Sequence, residues 1–475
     1  MARKRRECYP DYTAEVAYLN ADNQITPQLL GRIIRKHRGN ACFNQKLCER
    51  YQVIEEGVPI FRRRPRFSSG SQINNRLNHD YFSEIVDFKT GYFAGSPISY
   101  SYSNTEESRQ VTGGERQVNE AGKVLTDFVA RACMYDVDMQ AVKYAAICGY
   151  GARLFYLDKS GRENVMPVFP YQAILLSSTG ALHQPEYGVR YYRMRDLNNR
   201  PVCKAEFYDR RMRYRFSGSS FNTLELEEAP MPHGFGGCPL QGIPNNEELT
   251  GDAEKVISLI DAYDRCMSDS SNEIENFAQA YMVFENISIS PEVLAECQQS
   301  GAFSFASGTG GKVYYLTKDI NDTFLQNYCD RLEKNIFHRS KTPNLSDESF
   351  GTASGISLKF KLTELETKCG MLQAKMQAAG MYMFQLLSFS WQERLKTTVV
   401  PEQCIMEFSR NFPLDALSEA QAAQTMIASG LPKRIAYANA YSFIDDVDYV
   451  MELAAKEEDD GLLSLYASGN GKQEA

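Results

Sequence analysis

The sequence predicts a helix-rich α+β protein, and three patterns carry that expectation. Apolar residues recur with a period of 3.5 in two long stretches of the second half. Strand-length segments with turn residues between them fill the region from about 150 to 216. Gly- and Pro-rich breaks, Gly234–Pro239 and Lys341–Gly355, separate the two regimes and interrupt the second. The chain has 475 residues, 43% of them hydrophobic and 24% charged, enough for roughly three packed domains. Its formal charge of −8 argues against a protein that coats nucleic acid by general charge attraction.

Residues 1–66 form a basic segment, with 14 Lys and Arg against seven Asp and Glu, and end in Phe61-Arg-Arg-Arg-Pro-Arg66. Within it, Pro27–Arg38 reads as a short amphipathic helix. Ser68–Gln72 is a polar linker. Asn75–Thr90 reads as helix and is stopped by Gly91 and Gly95-Ser-Pro97. Ile98, Tyr100 and Tyr102 alternate with Ser as a half-buried strand would. Glu115–Cys148 reads as helix with a break near Tyr135–Asp138. Ala152–Leu157, Tyr187–Arg195, and a hairpin of Val202–Tyr208 with Arg211–Phe216 read as strands.

The helical signal is strongest afterwards. Leu249, Ala253, Val256, Ile260, Tyr263, Met267, Ile274, Phe277 and Tyr281 predict one helix over about 251–284, roughly 50 Å long at ~1.5 Å per residue. Leu358, Leu362, Leu365, Cys369, Leu372, Met376, Ala379, Met383 and Leu386 predict a second. A shorter helix spans Asn321–Ser340. The insert 285–320 contains Ser307-Gly-Thr-Gly-Gly311 and the strand-like Lys312–Leu316. Pro343, Gly351 and Gly355 forbid continuous helix between Lys341 and Gly355. Two or three short helices follow Pro413, then an acidic patch from Asp445 to Asp460, and the tail is expected to be disordered.

Several function classes have no support. MARKRREC is followed by no apolar run, so no secretory signal is expected, and the absence of 18 consecutive apolar residues predicts no membrane span. Twelve Cys without a CxxC pair and five scattered His predict free thiols in a reducing cytoplasm, with no zinc site. Asp136-Val-Asp138 is a candidate metal-binding carboxylate pair for nucleotidyl or glycosyl transfer, but Asp138 equally suits the cap of a helix starting at Met139. Gly149-Tyr-Gly151 and Gly308–Gly311 lack the Lys-Ser/Thr of a phosphate loop and read as turns. The Arg62–Arg66 cluster suits a bound phosphate, a solvated edge or a subunit contact. No catalytic residue and no cofactor is assigned. Residues 247–285 hold ten acids against Lys255 and Arg265, which reads either as a solvated face or as a wall facing something anionic. A helix with a narrow apolar seam needs partners, so oligomerisation is expected.

Four segments give the sequence a resemblance to a known family. They are Asn75–Pro97, Ala145-Ala-Ile-Cys-Gly-Tyr-Gly151 running on to Asp158, Ile243–Glu248 leading to Leu259–Asp264 and Ser268–Asn272, and Thr342-Pro-Asn-Leu-Ser-Asp-Glu-Ser-Phe-Gly351 before the long helix. In this order and spacing the chain resembles the portal (head–tail connector) proteins of long-tailed double-stranded DNA bacteriophages. The resemblance implies a protomer that assembles into a ring, a dodecamer, around a DNA channel at one vertex of a virion capsid. It implies a wing at 67–245, a stem helix at 246–284, a clip at 285–320, a returning stem helix at 321–340 and a tunnel loop at 341–355. The wing's long helix and following strand would occupy 356–412, a crown 413–460 and a tail 461–475, with 1–66 unassigned. Implied partners are other copies of the chain, double-stranded DNA in transit, the terminase large subunit, head-completion or adaptor proteins, and the major capsid and scaffolding proteins. The tunnel loop would place Lys341, Asn344, Asp347, Glu348, Ser349 and Phe350 near DNA, and the stem would present an acidic wall of Asp252, Asp261, Asp264, Glu273 and Glu275. Assembly would take place in the host cytoplasm. The alternatives are a metal-dependent nucleic-acid transferase using Asp136 and Asp138, or a coiled-coil scaffolding or adaptor protein without a channel.

Overall fold

A computed structural model describes residues 9–21, 23–64, 73–103, 120–278, 281–285, 290–292, 312–316, 322–344, 355–411 and 416–440, with isolated positions between 447 and 456. The chain divides into two compact units, Met1–Asn344 with Glu364–Arg410, and Leu345–Thr363 with Asn411–Ala475.

Within the basic N-terminal segment, unassigned from sequence, residues 9–21 and 23–64 contribute to the first unit's core. Helices α1 (Thr13–Asn20) and α2 (Pro27–Tyr51) bury Val16, Leu19, Leu30, Ile33 and Ile34 against Ile174, Val189, Ala205 and Phe216 of an antiparallel sheet. That sheet runs β4 (Ala173–Leu176), β5 (Tyr187–Arg195), β6 (Pro201–Tyr208), β7 (Met212–Gly218) and β8 (Glu225–Leu226), with β9 (Met231–Pro232) also paired to β7. Helix α2 is twice the length expected. It begins where Thr26 Oγ1 accepts the Leu29 N–H at 3.2 Å and Pro27 supplies the first turn, a standard pairing of cap and proline. It runs through two glycines, Gly31 and Gly39, and its Asn40 and Asn44 are buried, Asn40 bonded to His37 and Asn44 to Asn40.

Helix α3 covers Tyr81–Ala94, and the strand β1 (Ser99–Tyr102) follows. The expected helix thus starts six residues later than the sequence suggested, since 73–80 takes no regular secondary structure. Helices α4 (Glu120–Arg131) and α5 (Met134–Cys148) are separated at Cys133, whose φ of 48° breaks the helix a little before the expected point. Asp138 therefore lies inside α5 and caps nothing. Strands β2 (Tyr150–Leu157), β3 (Glu163–Val168) and β10 (Leu240–Pro244) form a second antiparallel sheet in the order β10-β2-β3.

Helix α6 spans Ile257–Ala278 after a 3-10 turn at Glu254–Val256. The predicted helix to 284 stops short. Tyr281–Glu285 is instead strand β11, paired antiparallel with β12 (Lys312–Leu316) from Tyr281↔Leu316 to Glu285↔Lys312. Aromatic and β-branched side chains favour this cross-strand pairing over one more helical turn. The insert thus begins near 281 rather than 285. Helix α7 (Asp322–Ser340) returns beside α6, and Cys329, Leu332 and Ile336 join Val256, Ile260 and Tyr263 in one core. Helix α8 (Gly355–Arg394) is 40 residues long, about 60 Å at the helical rise. Its predicted seam is buried from Leu362 through Leu386. Strand β13 (Cys404–Glu407) pairs with β1, closing a sequence gap of about 300 residues. In the second unit, α9 (Ala416–Ala428) packs on α10 (Lys433–Ala440). Among the described residues no helix is long and apolar enough to cross a membrane.

The turn from α5 into β2 depends on a glycine. Gly149 caps α5 at φ 89°, and a Cβ placed there would lie 2.0 Å from the Leu249 carbonyl oxygen. The glycine reading of this motif as a turn is therefore the structural one, while Gly308–Gly311 lies outside the described residues. Gly149→Ala is expected to cost roughly 3 kcal/mol or more, from left-handed strain and displaced backbone. Gly91→Ala, with nothing within 4 Å and a helical position, is expected to be neutral or to stabilise by up to about 1 kcal/mol. Urea midpoints of the two variants check both signs.

Candidate functional site

The acidic face of α6 is not bare. The segment 73–80 runs along it, and the backbone N–H groups of Asn75, Leu77 and His79 donate to Asn272 Oδ1 (2.7 Å), Ser268 Oγ (2.9 Å) and Asp264 Oδ1 (3.0 Å). Two residues of extended chain advance about 6.6 Å and four residues of helix about 6 Å, so every second N–H meets every fourth side chain. These bonds replace those a helix would have supplied, which is why 75–80 departs from the predicted helix. Cations complete the cover. Arg50 of α2 pairs with Asp261 at 2.7 Å, Arg63 pairs with Asp269, and Asn75 Nδ2 donates to Glu275 at 2.8 Å. Lys375 of α8 pairs with Glu247.

Before α6 lies a buried charge node. Asp252 is 6% exposed, and its Oδ2 accepts from Lys89 Nζ at 2.9 Å while its Oδ1 lies 2.5 Å from Lys368 Nζ. Lys89 also donates to Asn245 Oδ1 at 2.7 Å, and Lys368 to the carbonyl of Ser340, the last residue of α7, at 2.9 Å. The node ties α3, the turn after β10, the end of α7 and α8 together. Burial pushes the Asp252 carboxyl up, but Lys89 and Lys368 outweigh it and hold the group below its ordinary value. Burial lowers the Lys368 ammonium, with Asp252 opposing.

The geometry separates the members of the expected wall. Asp252 and Asp264 are closed off inside the protomer, and an acid buried against its partner presents no charge to a passing anion. Burial raises the Asp264 carboxyl, opposed by the bonds from His79. Asp261 is largely covered by Arg50. Of the five expected wall acids, Glu273 is half-buried and Glu275, towards the far end of α6, is exposed. Of the expected tunnel loop, Lys341 and Asn344 are described; Asp347, Glu348, Ser349 and Phe350 lie outside the described residues. Lys341, at φ 57°, closes α7 in a Schellman arrangement: its N–H donates to the His338 carbonyl at 3.3 Å and the Thr342 N–H to that of Phe337 at 3.1 Å. Asn344 Nδ2 donates to Glu333 at 3.1 Å, so the segment leaves α7 from a fixed base.

The metal-pair alternative loses its geometry. Asp136 is exposed, whereas Asp138 is buried on the other side of α5, paired with Arg153 at 3.1 Å and accepting from the Tyr100 hydroxyl. Burial pushes the Asp138 carboxyl up to about 6, with Arg153 opposing. Among the described residues no group of three or more His, Cys, Asp or Glu is placed to hold a metal ion. Arg63 of the arginine cluster serves Asp269 within the chain.

Large apolar side chains remain uncovered on the seam-bearing helices. Ile274 of α6 and Phe324 of α7 are each 69% exposed, and Phe360 of α8 is 76% exposed. Residues 68–461 match the profile of the family described as "Phage portal protein, SPP1 Gp6-like". The chain belongs to this family. A portal protein of Clostridium phage phiCD119 is 23% identical over 409 residues, covering 81% of this chain and 85% of the relative. A portal protein of Bacillus phage SPP1 is 23% identical over 447 residues, covering 89% and 84%. Phage portal proteins are virion components, and the family assigns this chain a role at the capsid portal.

The node in this family member was missed from sequence, yet one signal existed. Lys89 occupies a core position of α3, in step with Phe82, Ile85, Val86 and Phe93, where a charge is tolerated only with a buried partner. Asp252→Asn strands two ammonium groups and is expected to cost about 3–5 kcal/mol. Lys368→Met keeps the Lys89 pair and should cost less. Combining both should recover part of the Asp252→Asn loss. Because the Asp252 carboxyl is held below 3.8, its contribution is complete above that pH and is lost only in stronger acid. Denaturation midpoints of the four proteins between pH 3 and 7 test the coupling; strict additivity would refute it.

Proposed function

We propose that this chain is one subunit of a ring, a dodecamer, through which double-stranded DNA enters and leaves a phage head. The observation that carries the reading is the family match over 68–461, together with the chain order α6, insert, α7, interrupted segment, α8. In this reading α6 and α7 are stem helices and the β11–β12 insert is the clip. The two β-sheets and α8 belong to the wing, and α9 and α10 to the crown. The exposed Ile274 and Phe360 support contacts between copies, since large apolar groups gain most from burial. The clip would meet the terminase large subunit during packaging and head-completion or adaptor proteins afterwards, with major capsid and scaffolding proteins around the ring.

DNA would pass without adhering. Phosphates are repelled by carboxylates over a screening length of about 8 Å at physiological salt, and a ring multiplies one subunit's field. Glu273 and Glu275 are the acids suited to that task, with Asp252 and Asp264 holding the protomer together instead. The segment 341–354, anchored at Ser340 and Lys341, would be the element that touches DNA. The ring does no chemistry of its own in this reading; the terminase supplies it.

Negative-stain images of the purified full-length protein should show rings with a central hole; rods or monomers would count against the proposal and favour a scaffolding or adaptor role. Deleting residues 344–350 should leave ring assembly intact while packaging or DNA retention fails; normally filled heads would refute the gating role. Glu273→Gln with Glu275→Gln should raise DNA binding by the ring without changing its melting temperature.

A further inference from the structure

Two pairs of free cysteines face each other in the fold. Cys266 of α6 and Cys329 of α7 have their sulfurs 3.2 Å apart, and Cys48 of α2 and Cys148 of α5 have theirs 3.5 Å apart. The pairs differ in access. Cys48 and Cys148 are both buried, at 5% and 0%, and Cys148 also lies near the Asn44 carbonyl. Cys266 is only half-buried, and Cys329 lies beneath it at 8%. The sulfurs of a disulfide are about 2.05 Å apart, so the 266–329 pair needs roughly 1 Å of travel, within the reach of side-chain rotation.

We propose that Cys266 and Cys329 are a reversible thiol–disulfide site that staples α6 to α7 when the protein leaves a reducing environment for one holding a disulfide oxidant. The steps balance. The Cys266 thiolate attacks one sulfur of the oxidant RSSR, giving a mixed disulfide and RS⁻. Cys329 then loses its proton to solvent and attacks the Cys266 sulfur, expelling the second RS⁻. Two thiols become one disulfide and RSSR becomes two RSH. Exposure sets the order, because only Cys266 can meet an external disulfide. Burial, together with the bond to Cys266, pushes the Cys329 thiol up to about 12, which makes it a poor first nucleophile. Once Cys266 carries RS, Cys329 is already in contact, and proximity replaces intrinsic reactivity. The bond would join residues 63 apart in sequence and tie the two helices that flank the β11–β12 insert. It requires only these two sulfurs, not a ring or a channel.

The test treats the reduced, full-length protein with oxidised glutathione, quenches it in denaturant with iodoacetamide and maps non-reduced peptides by mass spectrometry. A peptide containing Cys266 joined to one containing Cys329 is expected, with Cys48 and Cys148 alkylated in the same sample. Cys329→Ser should stop at glutathione on Cys266, and Cys266→Ser should leave Cys329 unmodified. The proposal fails if exposed Cys42 and Cys133 take up glutathione while Cys266 and Cys329 remain thiols. It also fails if the Cys48–Cys148 bond forms as fast as the Cys266–Cys329 bond, which would mark unfolding as the route.

Discussion

A single carboxylate organises the first unit. Asp252 faces two ammonium groups from distant parts of the chain; the carboxylate and Lys89 are shut away from water, and Lys368 is partly so. Bringing such charges inside is costly, so the carboxylate needs at least one ammonium partner in place. That requirement makes the node a joint between distant parts of the chain. Lys89 locks α3, Asn245 the turn after β10, and Lys368 both α8 and the last carbonyl of α7. The long helix, the returning helix and the start of the interrupted segment therefore take their positions from one point.

The same logic revises the meaning of the acidity. A tally of ten acids against two bases over 247–285 suggests a strongly negative surface. Folding brings Arg50, Arg63, Lys89, Lys368 and Lys375 to that region from elsewhere in the chain. Local charge excess along a sequence is thus not local field in space. The acids of this stretch that stay exposed, Glu247, Glu248, Glu275 and Glu285, are fewer than the sequence tally suggests.

Much of the architecture was legible because it rests on local pattern. The 3.5-residue seam of α8 is buried as its spacing implies, and α7, the β6–β7 hairpin and the β1 strand lie where alternation and turns put them. The failures share one cause. Residues 75–80 left the helix because α6 side chains offered their N–H groups better partners. Tyr281–Glu285 left α6 because a strand some 30 residues on was available to pair with it. Asp138 lies inside α5 and pairs with Arg153 of β2 rather than capping a helix. Each outcome was settled by a contact distant in sequence, which periodicity does not report. The burial of Asp252 and Asp264 was hidden for the same reason: a spacing pattern shows which helix face an acid occupies, not what lies against it.

The matched steps of the 73–80 segment and α6 have an evolutionary consequence. Two ladders with nearly equal rungs tolerate side-chain exchange at any rung, because the donors are main-chain groups and the acceptor can be Asn, Ser or Asp alike. They do not tolerate a change of length. One inserted residue would turn the remaining N–H groups to the opposite side of the strand, and one added in the helix would rotate the acceptors by about 100°. Descendants of this chain are therefore free to drift in composition along this seam, while insertions and deletions are purged from it unless two residues on one rail are matched by a full turn on the other.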